Sequence, residues 1–257
     1  MNIALIMGCA RSGTSILGEL IGSHPDVRYK HEAHSIWNKA GLGENDSHRL
    51  LASHANDKIK RKIRRRFEYA KGQAEFLAEK CPRSVLRVPF IRDVFPEAKL
   101  VHIYRDGRDV ACSLLPGIGG DEWKHLKPPN WKALFEQEKG IVRCAKTWLT
   151  VMEIALADLE EVPHLAVRYE ELVQKPWEIA QNILHFLDLP EHDQVRDFCE
   201  RIQNRTDGSY QPEKQSKWYR PDHKVRVGRW RENLSDAEAE AVTALLAPML
   251  ERLGYKT

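Results

Sequence analysis

Cysteine is scarce in this chain and forms no pattern. Cys9, Cys81, Cys112, Cys144 and Cys199 include no CxxC pair and are odd in number, which argues against a disulfide framework or zinc site and for reduced thiols in a cytoplasmic protein. A long apolar run is also missing. Ile3 to Met7 is far too short to cross a bilayer, has no basic flank, and leads into a glycine-bounded turn, so it reads as a buried strand and not as a signal peptide. Neither sign of charge dominates: 40 Lys and Arg against 37 Asp and Glu leave +3, too little to argue for nucleic acid and suited to a local positive pocket for an anion. The basic stretch from Lys58 to Phe67 places Ile59, Ile63 and Phe67 at four-residue spacing, the pattern of an amphipathic helix with a solvated face. No nucleic-acid or membrane partner is expected. Repeats, low-complexity tracts and linkers are absent too, so the 257 residues are expected to form one α/β domain, 1–257.

What is present begins at the N-terminus. Gly8-Cys9-Ala10-Arg11-Ser12-Gly13-Thr14-Ser15 follows the apolar strand and precedes a helix-like face of Ile16, Leu17, Leu20 and Ile21, which Ser23-His24-Pro25-Asp26 ends. Such a turn aims backbone N–H groups and the positive end of a helix dipole at one anion. Thr14 stands where a nucleoside triphosphatase carries the lysine that reaches the β/γ-phosphates. The anion is therefore not expected to be an ordinary triphosphate.

The plan recurs. Leu100 to Tyr104 reads as a second buried strand, entering Arg105-Asp106-Gly107-Arg108-Asp109 and the helix-compatible Val110 to Leu115. Val27-Arg28-Tyr29 and His164 to Tyr169 read as further strands, Trp131 to Leu159 as one long helix, Pro176 to Leu187 as another, and Ser235 with Glu238 as a capping box for a last helix stopped at Gly254. Strands alternating with helices predict a P-loop-like central parallel sheet flanked by helices, with ligands at the carboxyl ends of its strands. Arg105 and Ser113 place a guanidinium fork and a hydroxyl on either side of one turn, where a single phosphate can accept from both.

Two anion sites suggest a ligand with two phosphate-like groups. Gly8 to Ser15, His24-Pro25-Asp26-Val27-Arg28 leading to Glu32, Glu79-Lys80-Cys81-Pro82, Leu100 to Leu115 and Gly228-Arg229-Trp230-Arg231 together resemble the sulfotransferase superfamily, most closely its protein-tyrosine and carbohydrate branch. The resemblance implies the sulfotransferase fold and an enzyme that moves a sulfuryl group from 3′-phosphoadenosine 5′-phosphosulfate (PAPS) to an acceptor hydroxyl by direct in-line transfer. The product is adenosine 3′,5′-bisphosphate (PAP), and no metal is required. It implies that Arg11, Ser12, Gly13, Thr14 and Ser15 cradle the phosphosulfate, with Arg11 donating to the bridging oxygen, and that Arg105 and Ser113 hold the 3′-phosphate. Glu32 is implied as the base and Lys80 as the cation on the sulfuryl oxygens, while Tyr169, Arg226, Gly228, Arg229 and Trp230 are implied as further cofactor contacts. The last segment departs from the cytosolic branch, which has a lysine and glycine-rich run there.

His31 competes with Glu32 as base, since imidazole titrates near neutrality, although adjacent strand residues point opposite ways. His31-Glu32-Ala33-His34 is one residue too short for the HExxH zinc spacing. The acceptor is open: the segments 33–55 and 117–131, with Trp37, Trp123 and Trp131, suit a sugar, a phenol or a peptide tyrosine alike. The rival readings are a PAPS or PAP-binding module without catalysis and an atypical P-loop kinase.

Overall fold

The computed structural model describes residues 1–41, 46–203 and 226–257. Its centre is a five-stranded sheet of β1 (Ile3–Met7), β2 (Val27–His31), β3 (Phe76–Lys80), β4 (Lys99–Tyr104) and β5 (His164–Arg168). The strands are all parallel, in the order β2-β3-β1-β4-β5. The most apolar strand, β1, lies in the middle and is buried along its whole length, as a parallel sheet covered on both faces demands.

Alternation along β1 assigns the two faces. Ile3, Leu5 and Met7 join a core with Trp37, Phe67, Phe90, Trp148 and Leu246, while Ala4 and Ile6 join one with Leu17, Leu20, Tyr169 and Ile183. Among the described residues the helices are, in chain order, α1 (Thr14–Gly22), α2 (His34–Trp37), α3 (Asp57–Lys71), α4 (Val88–Val94), α5 (Gly107–Ile118) and α6 (Trp131–Gln137). They continue with α7 (Gly140–Leu159), α8 (Tyr169–Gln174), α9 (Pro176–Leu187), α10 (Asp193–Gln203), α11 (Trp230–Asn233) and α12 (Asp236–Arg252). The basic helix α3 buries Ile63 and Phe67, the two later members of its predicted apolar stripe.

Two expectations change. The single helix over 131–159 is broken: Glu138 is extended and Gly140 adopts φ +57°, separating α6 from α7. The break is filled by Arg143, whose guanidinium is fully buried and donates to the carbonyls of Glu138, Phe135 and Ile118 at 2.7, 2.8 and 2.7 Å. The loop expected from Gly117 starts later, because α5 runs on through Pro116 to Ile118. One strand is missing from the sequence reading altogether. β3 ends in Glu79 and Lys80, residues that look solvent-facing and yet are 0% and 1% exposed.

Candidate active site

The carboxyl ends of all five strands open into one cavity of about 500 Å³. Arg11 to Ile16 reach it after β1 (Ser12 excepted), Glu32 after β2, Lys80 and Pro82 from β3, Arg105 after β4 and Tyr169 after β5. Ser113, Pro116 and Gly117 of α5 complete one wall with Lys124, His125 and Arg226. Cations dominate: among the described lining residues, Arg11, Lys80, Arg105, Lys124 and Arg226 face one carboxylate, Glu32.

The first loop is shaped by close approach. A Cβ on Gly8 would lie 2.2 Å from the Ile103 carbonyl oxygen, and one on Gly13, at φ +99°, would lie 2.4 Å from the Tyr169 ring. Gly13 then starts α1 with no side-chain cap, which leaves the helix's first N–H groups to whatever occupies the cavity. Ser12 is a correction to the expected cradle. It is fully buried and outside the cavity, and its N–H goes to the Cys9 carbonyl at 3.1 Å.

Arg105 and Ser113, expected on either side of one phosphate, both line the cavity. Ser113 Oγ accepts from Arg11 Nε at 2.9 Å, while Arg105 Nη2 donates to Asp109 at 3.2 Å and to the carbonyl of Arg226. The Arg105 guanidinium lies 4.5 Å from the centre of the Tyr169 ring, and its buried Nε has no hydrogen-bond partner among the described residues. Gly228, Arg229 and Trp230, expected as cofactor contacts, are not among the described residues that line the cavity. Instead the Gly228 and Trp230 N–H groups donate to Asp109 at 2.8 and 3.0 Å, and the Trp230 ring packs against Arg108. That segment therefore props Arg105 through Asp109.

At the other end, Lys80 Nζ donates to Glu32 Oε1 at 2.7 Å and lies 2.9 Å from His31 Nε2. Register explains the second contact, because His31 and Lys80 are cross-strand partners. The first breaks strict alternation: Glu32 has φ +43°, which turns its side chain back to the face of its neighbour. The expectation that His31 and Glu32 point apart is thus overturned. Arg11, at φ +75°, is the other non-glycine residue of the cavity in the left-handed region, and such strain concentrates at functional positions. Burial works against the Glu32 carboxylate, but the hydrogen bond from His34, at 2.9 Å, and the Lys80 ammonium outweigh it and hold it at about 2.

A model of the sulfotransferase family matches residues 4–193. The chain belongs to that family. Protein-tyrosine sulfotransferase 1 of Danio rerio is 25% identical, over 99% of this chain and 72% of its own length. The Drosophila melanogaster protein-tyrosine sulfotransferase is 26% identical over 99% of this chain and 52% of its own, and nodulation protein NoeE of Sinorhizobium fredii is 27% identical over 99% and 66%. Among solved structures, the sulfotransferase domain from the Synechococcus PCC 7002 olefin synthase superposes with a TM-score of 0.64 at 19% identity, over 99% of this chain and 95% of that one. A mouse sulfotransferase complexed with PAP gives 0.57 at 15%, over 97% and 85%. The fold and the sulfotransferase family read from the motifs both hold.

Two groups of this sulfotransferase escaped the sequence reading. Burial lowers His125 to about 4, with Arg11 adding to the effect and Glu32 opposing it, so a neutral imidazole faces the cavity. It is seated on Gly117, where a Cβ would lie 2.4 Å from Nε2. Only the broad assignment of 117–131 as a wall hinted at it. The other expected wall, 33–55, supplies no lining residue among those described; Trp37 is in the core, and 42–45 lie outside the described residues. The second is Glu79, buried beneath the turn that carries Glu32.

Proposed function

We propose that this chain transfers a sulfuryl group from PAPS to an acceptor hydroxyl. The carrying observation is the convergence of Arg11, Lys80 and Glu32 on a cavity that also holds an uncapped helix start and Arg105. The donor set fits such a co-substrate: the buried Arg105 Nε, without a partner among the described residues, and the glycine-tight start of α1 provide for two separate anionic groups without a phosphate-loop lysine.

PAPS supplies the sulfuryl group and a bisphosphate leaving group. Thr14, Ser15 and the N–H groups that open α1 would hold its phosphosulfate end, and Arg105 with Arg226 its 3′-phosphate. Tyr169 keeps the Arg105 guanidinium at its post by stacking beneath it. Arg11, oriented by Ser113, would place its guanidinium charge against the charge developing on the leaving oxygen. Glu32 takes the acceptor proton. A carboxylate at about 2 is a weak base, but the Lys80 ammonium that helps hold it there is the same group that serves the sulfuryl oxygens. As Lys80 turns to them, Glu32 loses a cation and becomes more basic at the step in which the proton leaves. The relatives named for protein-tyrosine sulfation make a tyrosine hydroxyl the first acceptor to try.

Radiolabelled PAPS with tyrosine peptides, simple phenols and glycans tests the reading. Label transfer that disappears in Glu32→Gln supports it; PAP binding by the wild type with no transfer to any of the three classes leaves a binding module and overturns the enzyme.

A further inference from the structure

Glu32 owes its position to a backbone turn that a buried neighbour pins. Its φ of +43° is unfavourable for a residue with a Cβ, so surrounding contacts must impose it. From the strand side, the Glu32 N–H donates to the Lys80 carbonyl at 2.8 Å. From the helix side, the next N–H, that of Ala33, donates to Glu79 Oε1 at 3.0 Å, and the same oxygen accepts from Trp37 Nε1 at 3.2 Å. One carboxylate oxygen thus grips both ends of the segment from the turn to the last residue of α2.

Glu79 is an expensive choice for a purely structural anchor. It is fully buried, and its second oxygen, Oε2, has no hydrogen-bond partner among the described residues, a condition that costs stability. Strand alternation places it opposite Lys80: Lys80 faces the cavity, and Glu79 reaches behind the sheet toward Trp37. Adjacent residues of β3 therefore hold Glu32 from its two sides, Lys80 at the carboxylate and Glu79 at the backbone.

We propose that Glu79 is a positioning residue for the reaction: by fixing the Ala33 N–H and the Trp37 indole it holds the left-handed turn that delivers the Glu32 carboxylate to Lys80 and His34. The importance of this for turnover rests on the reading of Glu32 as the base, while the positioning itself does not. Without the Oε1 acceptor, Glu32 relaxes toward ordinary strand geometry, its side chain swings to the opposite face, and its contacts with Lys80 and His34 are lost. Gln keeps an oxygen at the same place and so keeps the turn; Leu fills the space with no acceptor.

The test is a carbon-13 NMR titration of the Glu32 carboxyl, assigned with Glu32→Gln, in the wild type, Glu79→Gln and Glu79→Leu, each shown to be folded by a cooperative thermal transition without ligand. Glu32 is expected to titrate at about 2 in the wild type and Glu79→Gln and to move back toward its ordinary 4.5 in Glu79→Leu. PAP affinity should stay within about threefold, because Glu79 lies outside the cavity. An unmoved Glu32 titration in Glu79→Leu, an equal shift in Glu79→Gln, or loss of PAP binding in Glu79→Leu alone overturns the proposal. Turnover of labelled PAPS with a tyrosine peptide is read alongside: a tenfold or greater fall in kcat for Glu79→Leu, rescued in Glu79→Gln, is expected. If Glu32→Gln itself turns over normally, the base assignment fails whatever the titration shows.

Discussion

Arg11 Nε donates to Ser113 Oγ at 2.9 Å, joining the loop after β1 to the helix after β4 across 102 positions of sequence. A hydroxyl that accepts from a guanidinium still has its own proton to donate, so Ser113 orients Arg11 and remains available to an anion. The two glycine turns that the sequence presents as separate anion sites are thereby one mechanical unit. The orientation of the proposed working cation in the first depends on a side chain of the second.

Arg11→Ala should consequently lower turnover more than ligand affinity. A fall in kcat of about a hundredfold or more is expected for a donor aimed at developing charge, with PAP affinity by calorimetry reduced about tenfold or less. Ser113→Ala should show a smaller version of the same split. Equal losses in both quantities would mean that Arg11 binds the ground state as strongly as it assists the reaction.

Gly13 should tolerate no side chain. At φ +99° an alanine is strained, and its Cβ would stand 2.4 Å from the Tyr169 ring that stacks under Arg105. Gly13→Ala is expected to displace both anion sites together and to abolish the thermal stabilisation that PAP gives the wild type. Undiminished stabilisation would show that the loop and Tyr169 move independently.

The sequence made the phosphate-binding halves legible, because a strand, a glycine turn and an amphipathic helix each leave a local signature. Gly8 to Ser15 and Arg105 to Ser113 both fold as their patterns predict. Long-range pairing was not legible. Nothing local says that Ser113 meets Arg11, that Asp109 receives the N–H groups of Gly228 and Trp230, or that Arg143 closes a helix break by collecting carbonyls. β3 was hidden for a different reason: its last two residues are charged, and the partners that make their burial tolerable, Glu32, Ala33 and Trp37, come from a segment more than forty residues earlier.

Asp109 should couple the C-terminal segment to cofactor affinity. Its carboxylate, fully buried, accepts from Arg105, from Gly228 N–H and from Trp230 N–H. Asn in its place keeps one acceptor and loses the charge that Arg105 faces. Asp109→Asn should weaken PAP binding about tenfold, the usual scale for losing a charge-assisted hydrogen bond, and should speed amide exchange at Gly228 and Trp230. Faster exchange at unchanged PAP affinity would separate that segment from the site.

Acid and alkali should act on two nearby carboxylates in opposite directions. Glu32 lies at about 2, below its ordinary 4.5, because the His34 hydrogen bond and Lys80 overcome its burial. Its ionised form favours the folded chain, so that contribution is complete above 4.5 and is lost as pH falls toward 2. Burial lifts Glu79 to about 7 against the pull of the Ala33 and Trp37 hydrogen bonds, Arg87 and Lys80. The folded chain then holds the Glu79 proton more tightly than the unfolded one does, which makes Glu79 harmless below 4.5, increasingly costly as pH rises from there to 7, and fully so above. Glu32→Gln should therefore flatten the acid limb of a urea-unfolding series between pH 4.5 and 2. Glu79→Gln should leave that limb in place and make the protein more stable than the wild type above pH 7, with the advantage disappearing below 4.5. An advantage that persists at pH 4 would mean that Gln stabilises by packing and that the Glu79 charge is not what the wild type tolerates.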